Sequence, residues 1–194
     1  MKHKIFLIIG RTSSGKTSLA KEVCNRLNLK ILKSYTTRLP RKNETLENSD
    51  HIFITPAEIV KYKDKMIAHT IINEIEYFAT IDQLLESDVY IIDPNGIDYL
   101  RTNKDVQKII DNQIEFIEIY IRVPKSTGKR LAVQRGEDID TYMQRYKNES
   151  PQFDYYEKHQ QFKYHVLNNG TFEEGVTKLE NIIKKELDYD TGQL

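Results

Sequence analysis

The chain has 194 residues, of which 39% are hydrophobic and 30% charged, as is typical of a globular protein with one sizeable core. Lysine plus arginine total 29, as do aspartate plus glutamate, so the net charge is zero and we expect no nucleic acid partner. The apolar run at residues 5–9 is too short for a signal peptide or a membrane span, and the single cysteine, Cys24, fits a reducing compartment. We therefore expect a cytoplasmic protein that does not attach to a membrane.

Short apolar segments alternate with amphipathic ones along the chain. The first predicted helix, at residues 18–29, has apolar side chains at helical spacing, and Cys24 falls on it as a small buried residue. Capping motifs begin further helices at Thr55, Thr80 and Thr171. This alternation predicts an α/β fold with a parallel sheet. The predicted strands are residues 5–9, 89–93, 115–123 and 164–168.

Two regions interrupt the alternation of strands and helices. Residues 34–80 contain short strands around one helix, which predicts an insertion with its own small, mostly antiparallel sheet. Residues 125–146 have a helical pattern, are rich in arginine and lysine, and contain Gly136. The remaining segments form the expected core, residues 1–33, 81–124 and 147–194.

The segment GRTSSGKT, residues 10–17, satisfies the pattern G-x-x-x-x-G-K-[ST] in full, between a predicted strand and a predicted helix. Its amides and the following helix N-terminus offer N–H donors to phosphate oxygens, and its glycines allow close approach. In this pattern Lys16 reaches the β- and γ-phosphates, and the Thr17 hydroxyl binds Mg²⁺. We therefore predict a three-layer P-loop NTPase fold, which by itself fits a kinase, a GTPase or an ATP-driven machine. The predicted triphosphate contacts are Gly10, Ser13, Ser14, Gly15, Lys16, Thr17 and Ser18.

A second candidate phosphate site follows in SYTTRLPR, residues 34–41. Arg38 and Arg41 stand three residues apart near hydroxyl side chains, and guanidinium groups bind phosphate in a bidentate way. For an isolated pair of arginines, a solvated basic loop is the simpler interpretation. Two phosphate sites in one chain are what phosphoryl transfer between two anionic substrates requires.

At these residues the sequence resembles the guanylate kinase family, and the resemblance extends over nearly the whole chain. The family carries S-x-T-T-R-x-P-R after its second strand, and this block is more specific than the P-loop. The further blocks that match in order are Glu44, residues 50–53, residues 93–96, Arg130 with Leu131, Arg135 with Gly136, Arg145, and Asn168 with Asn169.

The resemblance implies a core with a lid at residues 125–146 and an insertion at 34–80 that binds a nucleoside monophosphate. It implies that Asn168 lies near the adenine of ATP, and that ATP and Mg²⁺ serve as cofactors. The acceptor's phosphate would be held by Ser34, Arg38, Arg41 and Tyr77. The implied catalytic residues are Lys16, Arg38 and the lid arginines Arg130, Arg135 and Arg145.

Asp93 has two interpretations. It stands at the carboxyl end of a predicted parallel strand, where open α/β sheets bind ligands, so it would orient Mg²⁺ through water or contact the acceptor. Alternatively, it caps the helix that begins at Pro94.

The sequence departs from the family pattern in the acceptor pocket. Ala68 and Ala79 stand where the family has a base-binding glutamate and hydroxyl, and neither side chain can form a hydrogen bond. A shift of one residue would instead place His69, Thr70 or Thr80 there. His51 also replaces a phosphate-contacting tyrosine, and Phe78 replaces a glycine. Residues 91–93 keep one of the two aspartates that are usual in the family, and the lid is one residue shorter.

The resemblance makes GMP the first expectation for the acceptor, with dGMP, another nucleoside monophosphate such as dTMP, or a sugar phosphate as alternatives. A non-catalytic guanylate kinase-like scaffold is a different class, although such domains typically lose the P-loop that is complete here. A GTPase switch is disfavoured, because the chain has no N-K-x-D motif. We expect small-molecule nucleotides as partners and a monomer or homodimer.

Overall fold

The computed structural model describes residues 2–40, 44–45, 49–72, 74–110, 113–159 and 162–188. Arg41, a predicted acceptor contact, lies outside these residues. The chain divides into two compact units. The first unit comprises Met1–Ile5 and Lys30–Phe116, and the second unit comprises Phe6–Leu29 and Ile117–Leu194.

Strands and helices alternate along much of the chain. The strands are β1 (His3–Ile9), β2 (Ser34–Thr36), β3 (His51–Phe53), β4 (Met66–Ile72), β5 (Ile75–Thr80), β6 (Val89–Ile91), β7 (Ile114–Arg122) and β8 (Tyr164–Leu167). The helices are α1 (Lys16–Leu27), α2 (Ile81–Leu85), α3 (Pro94–Thr102), α4 (Lys104–Ile110), α5 (Lys125–Gln134), α6 (Ile139–His159) and α7 (Phe172–Asp188), and Pro56–Lys65 forms a 3₁₀ helix.

The core is a parallel sheet with strand order β6-β1-β7-β8, so the predicted α/β class is confirmed. Residues 5–9 of β1 are at most 1% exposed, because both faces of a parallel sheet are covered. In the second unit, α1 packs against α7, whose buried Val176, Leu179 and Ile183 recur at helical spacing. Cys24 is buried on α1, as predicted.

The four strands β2 to β5 form a separate sheet with strand order β3-β2-β5-β4. The β2–β3 pair is parallel, whereas β2–β5 and β4–β5 are antiparallel, so the sheet is mostly antiparallel as predicted. The helix expected after Thr55 is a 3₁₀ helix, and its first turn is capped by Glu58, whose carboxylate accepts the Thr55 N–H at 2.9 Å. The β4–β5 register shifts between Ile67 and Thr70.

Several observed ends of strands and helices differ from the predicted ones. The strand predicted at residues 89–93 ends at Ile91, because Asp93 and Pro94 begin α3. Helix α1 starts at Lys16 and ends at Leu27, and the following C-cap residue, Asn28, has a left-handed φ of 54°. Helix α6 is continuous from Ile139 to His159, so it passes through position 146, where we expected the lid to end. Within the described residues, no helix is both long and apolar enough to cross a membrane.

The buried position of β1 can be tested with Ile8→Ala. Ile8 is fully buried, so its truncation should lower the free energy of unfolding by about 2–5 kcal/mol in urea denaturation. Ile71→Ala is the matched control, because Ile71 lies on the edge strand β4 and is 62% exposed, and we expect a change below about 0.5 kcal/mol. Equal losses in the two variants would contradict the placement of β1 in the core.

Candidate functional site

The P-loop joins β1 to α1 in the second unit, and its shape requires glycine at both glycine positions of the motif. A Cβ at Gly10 would lie 2.7 Å from the Ile121 carbonyl oxygen and 2.7 Å from Ser14 Oγ. Gly15 has a φ of 83°, which side chains rarely adopt. The loop closes on itself, since the Ser14 N–H donates to the Arg11 carbonyl at 3.1 Å. The sequence pattern therefore corresponds to a tight turn directly before a helix N-terminus.

Three hydroxyl side chains of the loop are buried without a partner. Thr12, Ser13 and Ser14 are 4%, 7% and 1% exposed, and among the described residues their side-chain oxygens have no hydrogen bond. A buried polar group left without a partner costs about 1–3 kcal/mol. An anionic ligand such as a phosphate would supply acceptors for these hydroxyls and for the N–H groups at the start of α1.

Lys16 and Thr17 begin α1, as the P-loop pattern requires, and both are partly buried. Lys16 Nζ donates to the Arg11 carbonyl at 3.2 Å, so the side chain folds back over the loop. Ser18 is exposed on the same helix turn.

Asn168, directly after β8, holds the loop from the other side. Its side-chain Nδ2 donates to the Ser14 carbonyl at 2.8 Å, and its backbone N–H donates to the Arg122 carbonyl at 2.8 Å. A Cβ at Gly15 would lie 2.6 Å from the same Nδ2. Asn168 therefore fixes the P-loop conformation, a role that the resemblance to a family did not indicate.

A cavity of about 270 Å³ opens beside the P-loop within the second unit. It brings together predicted residues from three parts of the chain, and it also includes Phe172, which the sequence did not point to. The predicted residues that line it are Ser13, Gly15, Ser18, Arg130, Arg135 and Asn168.

The third lid arginine is linked to the cavity through an acidic residue. Glu137 accepts from Arg135 Nε at 3.1 Å and from Arg145 Nη1 at 2.5 Å. Burial disfavours the charged form of Glu137, but the hydrogen bonds from the two arginines outweigh it and lower the pKa of Glu137. Arg135 and Arg145 are therefore held as a pair.

The sequence did not predict two sets of contacts that the P-loop makes with α6. The Arg11 side chain is only 5% exposed and forms ion pairs with Asp154 and Glu157 of α6 at 2.5 and 3.0 Å. The Thr12 N–H donates to the Glu149 carboxylate, also on α6, at 2.7 Å. The motif leaves positions 11 and 12 open, so only the three-dimensional structure reveals these contacts.

The predicted acceptor-binding residues that the structure describes lie in the first unit, on its small sheet and the segments around it. In the strand register, Ser34 pairs with His51 and Thr36 pairs with both Phe53 and Tyr77. Alternation along the strands therefore puts Ser34, His51 and Tyr77 on one face of this sheet. Ser34 Oγ and His51 Nδ1 are 2.9 Å apart, and the His51 and Tyr77 rings meet edge-on with centroids 5.6 Å apart.

Arg38 is held by Glu44 in the same unit. Its two terminal nitrogens donate to the two Glu44 oxygens at 2.7 and 2.9 Å, and its guanidinium lies 5.2 Å from the Phe53 ring centroid. The hydrogen bond to Glu44 is the main cause that raises the pKa of Arg38. Arg38 Nε is buried and has no partner among the described residues, so it remains available to an anion.

Ala68 and Ala79, at the expected base-binding positions, are both buried. Ala79 stands opposite Ile67, and Ala68 lies in the irregular part of β4 with a φ of 50°. The residues that a shift of one position would place there instead have other contacts. His69 Nε2 is 2.8 Å from Glu76 Oε2, Thr80 caps α2, and Thr70 stands opposite Tyr77.

Asp93 is the N-cap of α3, since its Oδ1 accepts the Gly96 N–H at 2.7 Å. The capping interpretation is therefore confirmed. Among the described residues, no group of three or more histidine, cysteine, aspartate or glutamate side chains could hold a metal ion.

Comparison with known proteins supports the fold. No family model matches the chain. A guanylate kinase from Thermotoga maritima is 36% identical over 61 residues, a segment that covers 31% of this chain and 30% of that protein. The crystal structure of guanylate kinase from Anaplasma phagocytophilum matches with a TM-score of 0.62 and 18% identity over 95% of this chain and 87% of that one. The chain has a guanylate kinase-like fold. An uncharacterized protein from Eubacterium ventriosum matches at a TM-score of only 0.46.

The role of Asn168 can be tested with Asn168→Asp. The substitution replaces a donor by a carboxylate that would repel the Ser14 carbonyl, so we expect at least about tenfold weaker ATP binding in calorimetric titrations. Asn169→Asp introduces the same charge at the neighbouring exposed position and should bind as the wild type does. Equal affinities for the two variants would show that Asn168 does not hold the loop.

Proposed function

We propose that this chain is an ATP-dependent nucleoside monophosphate kinase of the guanylate kinase type, which transfers the γ-phosphoryl group of ATP to GMP or dGMP. The observation that carries the proposal is the set of buried P-loop hydroxyls that have no partner among the described residues, beside a cavity that Arg130 and Arg135 line. A pure scaffold would have no use for this arrangement, because unpartnered buried hydroxyls reduce stability unless a ligand occupies the loop.

On the donor side, the P-loop would bind the triphosphate through its amides and through Lys16. Thr17 would hold Mg²⁺, which usually keeps several waters and binds through few protein groups together with substrate phosphates. The bound ion would supply neutralisation of the phosphate charge. That the described residues form no cluster of metal ligands is compatible with such a site, since Mg²⁺ would arrive with the nucleotide.

On the acceptor side, Ser34, Arg38 and Tyr77 would bind the phosphate of the monophosphate substrate. Arg38 Nε, which has no partner within the described residues, supports this assignment, because Glu44 already fixes the rest of the guanidinium in one orientation. A guanidinium that is held in place in advance loses less conformational entropy when it binds a phosphate.

Phosphoryl transfer depends on positioning and charge stabilisation more than on covalent catalysis. Lys16 and the lid arginines would stabilise negative charge on the transferring group, and a closed lid would exclude water, which competes as an acceptor. The Glu137 carboxylate would keep Arg135 and Arg145 together before substrates bind.

A different acceptor is the second candidate, and the buried Ala68 and Ala79 favour it. A site built to hydrogen-bond a base discriminates strongly between bases, whereas alanine side chains offer no such contact. Another nucleoside monophosphate, or a sugar phosphate, would then replace GMP in the same chemistry.

The function can be tested by measuring ADP release with ATP, Mg²⁺ and a panel of ribo- and deoxynucleoside monophosphates. We expect turnover with GMP or dGMP, and a fall of about 10²–10³-fold in Lys16→Ala, because a charged group at the transition state is lost. Lys21→Ala, at an exposed position of α1, is the matched control and should keep full activity.

Each pattern of turnover has a distinct meaning. Turnover with another monophosphate alone would move the proposal to that acceptor. No turnover with any acceptor, although ATP binds, would contradict a nucleotide kinase and favour a sugar phosphate kinase or a scaffold.

A further inference from the structure

Arg11 occupies an unusual position for an arginine side chain, because it is buried inside the second unit. Its guanidinium lies between two aromatic rings, 5.0 Å from the centroid of Tyr146 and 5.3 Å from that of Phe153. Its Nε donates to Glu157 at 3.0 Å, and its Nη2 contacts both Asp154, at 2.5 Å, and Glu157, at 3.2 Å. Such a buried, fork-shaped contact fixes the direction of the side chain as well as its charge.

The partners of Arg11 belong to one face of α6. Tyr146, Phe153, Asp154 and Glu157 recur at helical spacing, and Glu149 on the same side accepts the Thr12 N–H at 2.7 Å. Two consecutive P-loop residues are therefore attached to the same helix.

The backbone of Arg11 connects this attachment to the phosphate site. Its carbonyl accepts the Ser14 N–H at 3.1 Å and Lys16 Nζ at 3.2 Å. A displacement of Arg11 would therefore move the acceptor that orients the catalytic lysine of the proposed reaction.

The same helix also carries a lid arginine. Arg145 directly precedes Tyr146 and pairs with Glu137, which in turn pairs with Arg135 at the cavity. Because α6 is one continuous helix of 21 residues, about 30 Å long, a contact in its middle constrains its N-terminal part as well.

We propose that Arg11 is a positioning residue, which locks the P-loop onto α6 and so holds Lys16 and the Arg135–Glu137–Arg145 cluster in one arrangement. Arg11 acts through these groups, and nothing requires it to touch a substrate. The expected loss of catalytic activity when Arg11 is replaced rests on the proposed kinase function, whereas the expected change in P-loop conformation does not. Tyr120 supports the lock, because its hydroxyl donates to the Glu157 carboxylate.

The test uses Arg11→Lys, which keeps the charge but loses the fork, and Glu157→Gln, which keeps the volume but loses the charge. Arg26→Lys is the matched control, since Arg26 also binds carboxylates, at 2.7 and 2.8 Å, but lies on the exposed side of α1. All variants are compared at temperatures where urea titrations show them to be fully folded, so that a general loss of stability does not enter the comparison.

The first readout is amide hydrogen exchange without any nucleotide. We expect the amides of residues 12–17 to exchange at least about fivefold faster in Arg11→Lys and Glu157→Gln than in the wild type, and to be unchanged in Arg26→Lys. Wild-type exchange rates in both Arg11→Lys and Glu157→Gln would overturn the proposal. If Arg11→Lys does not fold, Glu157→Gln alone decides.

The second readout is nucleotide binding and turnover. We expect at least about tenfold weaker ATP binding in Arg11→Lys and a lower kcat, with the KM for the acceptor unchanged. ATP affinity within twofold of the wild type would overturn the proposal. Absence of ATP binding by the wild type would instead contradict the proposed function, and the exchange measurement would still decide about Arg11.

Discussion

The second unit depends on one constraint, the burial of polar groups in the loop between β1 and α1. Gly10 and Gly15 allow the chain to turn where side chains would collide, and the turn leaves the hydroxyls of Thr12, Ser13 and Ser14 buried without partners among the residues that the structure describes. This arrangement costs stability in the free protein, and a phosphate ligand would recover that cost. The contacts around the loop serve to keep it in this unfavourable state.

Those contacts all join the loop, near the start of the sequence, to residues far along the chain. Asn168 holds the Ser14 carbonyl, while Arg11 and Thr12 are attached to α6. The buried ion pairs of Arg11 are weak evidence for stability, because removing charges from water is costly. Their geometric precision is the more important property, since a P-loop that binds phosphate must hold its donors in fixed positions.

In the first unit, a similar principle applies to Arg38. Glu44 and Phe53 orient its guanidinium, and Nε has no partner in the described part of the chain, as a preorganised anion site requires. Nearby, the buried Ala68 and Ala79 contribute no polar groups, so recognition of an acceptor would depend on its phosphate more than on its base.

The sequence predicted those features whose chemistry is local. The P-loop glycines, the strand β1 and the capping threonines follow from spacing and backbone geometry alone. The Asp93 cap was only one of two interpretations of the sequence, and the structure was needed to identify it. The Arg11 contacts could not be predicted, because the motif allows any residue there and its partners lie more than a hundred positions away. The irregularity of β4 at Ala68 also had no local signal, and neither did the continuation of α6 through Pro151, which packing against α5 and the P-loop stabilises.

The most direct test of the account compares the affinities of ATP, ADP, AMP and adenosine by calorimetric titration in the presence of Mg²⁺. If the binding site is formed by the loop amides together with the hydroxyls of Thr12, Ser13 and Ser14, which have no partner among the described residues, affinity should fall with each phosphate removed, and adenosine should not bind measurably. Equal affinities for adenosine and ATP would contradict the account, because the loop would then contribute nothing to binding.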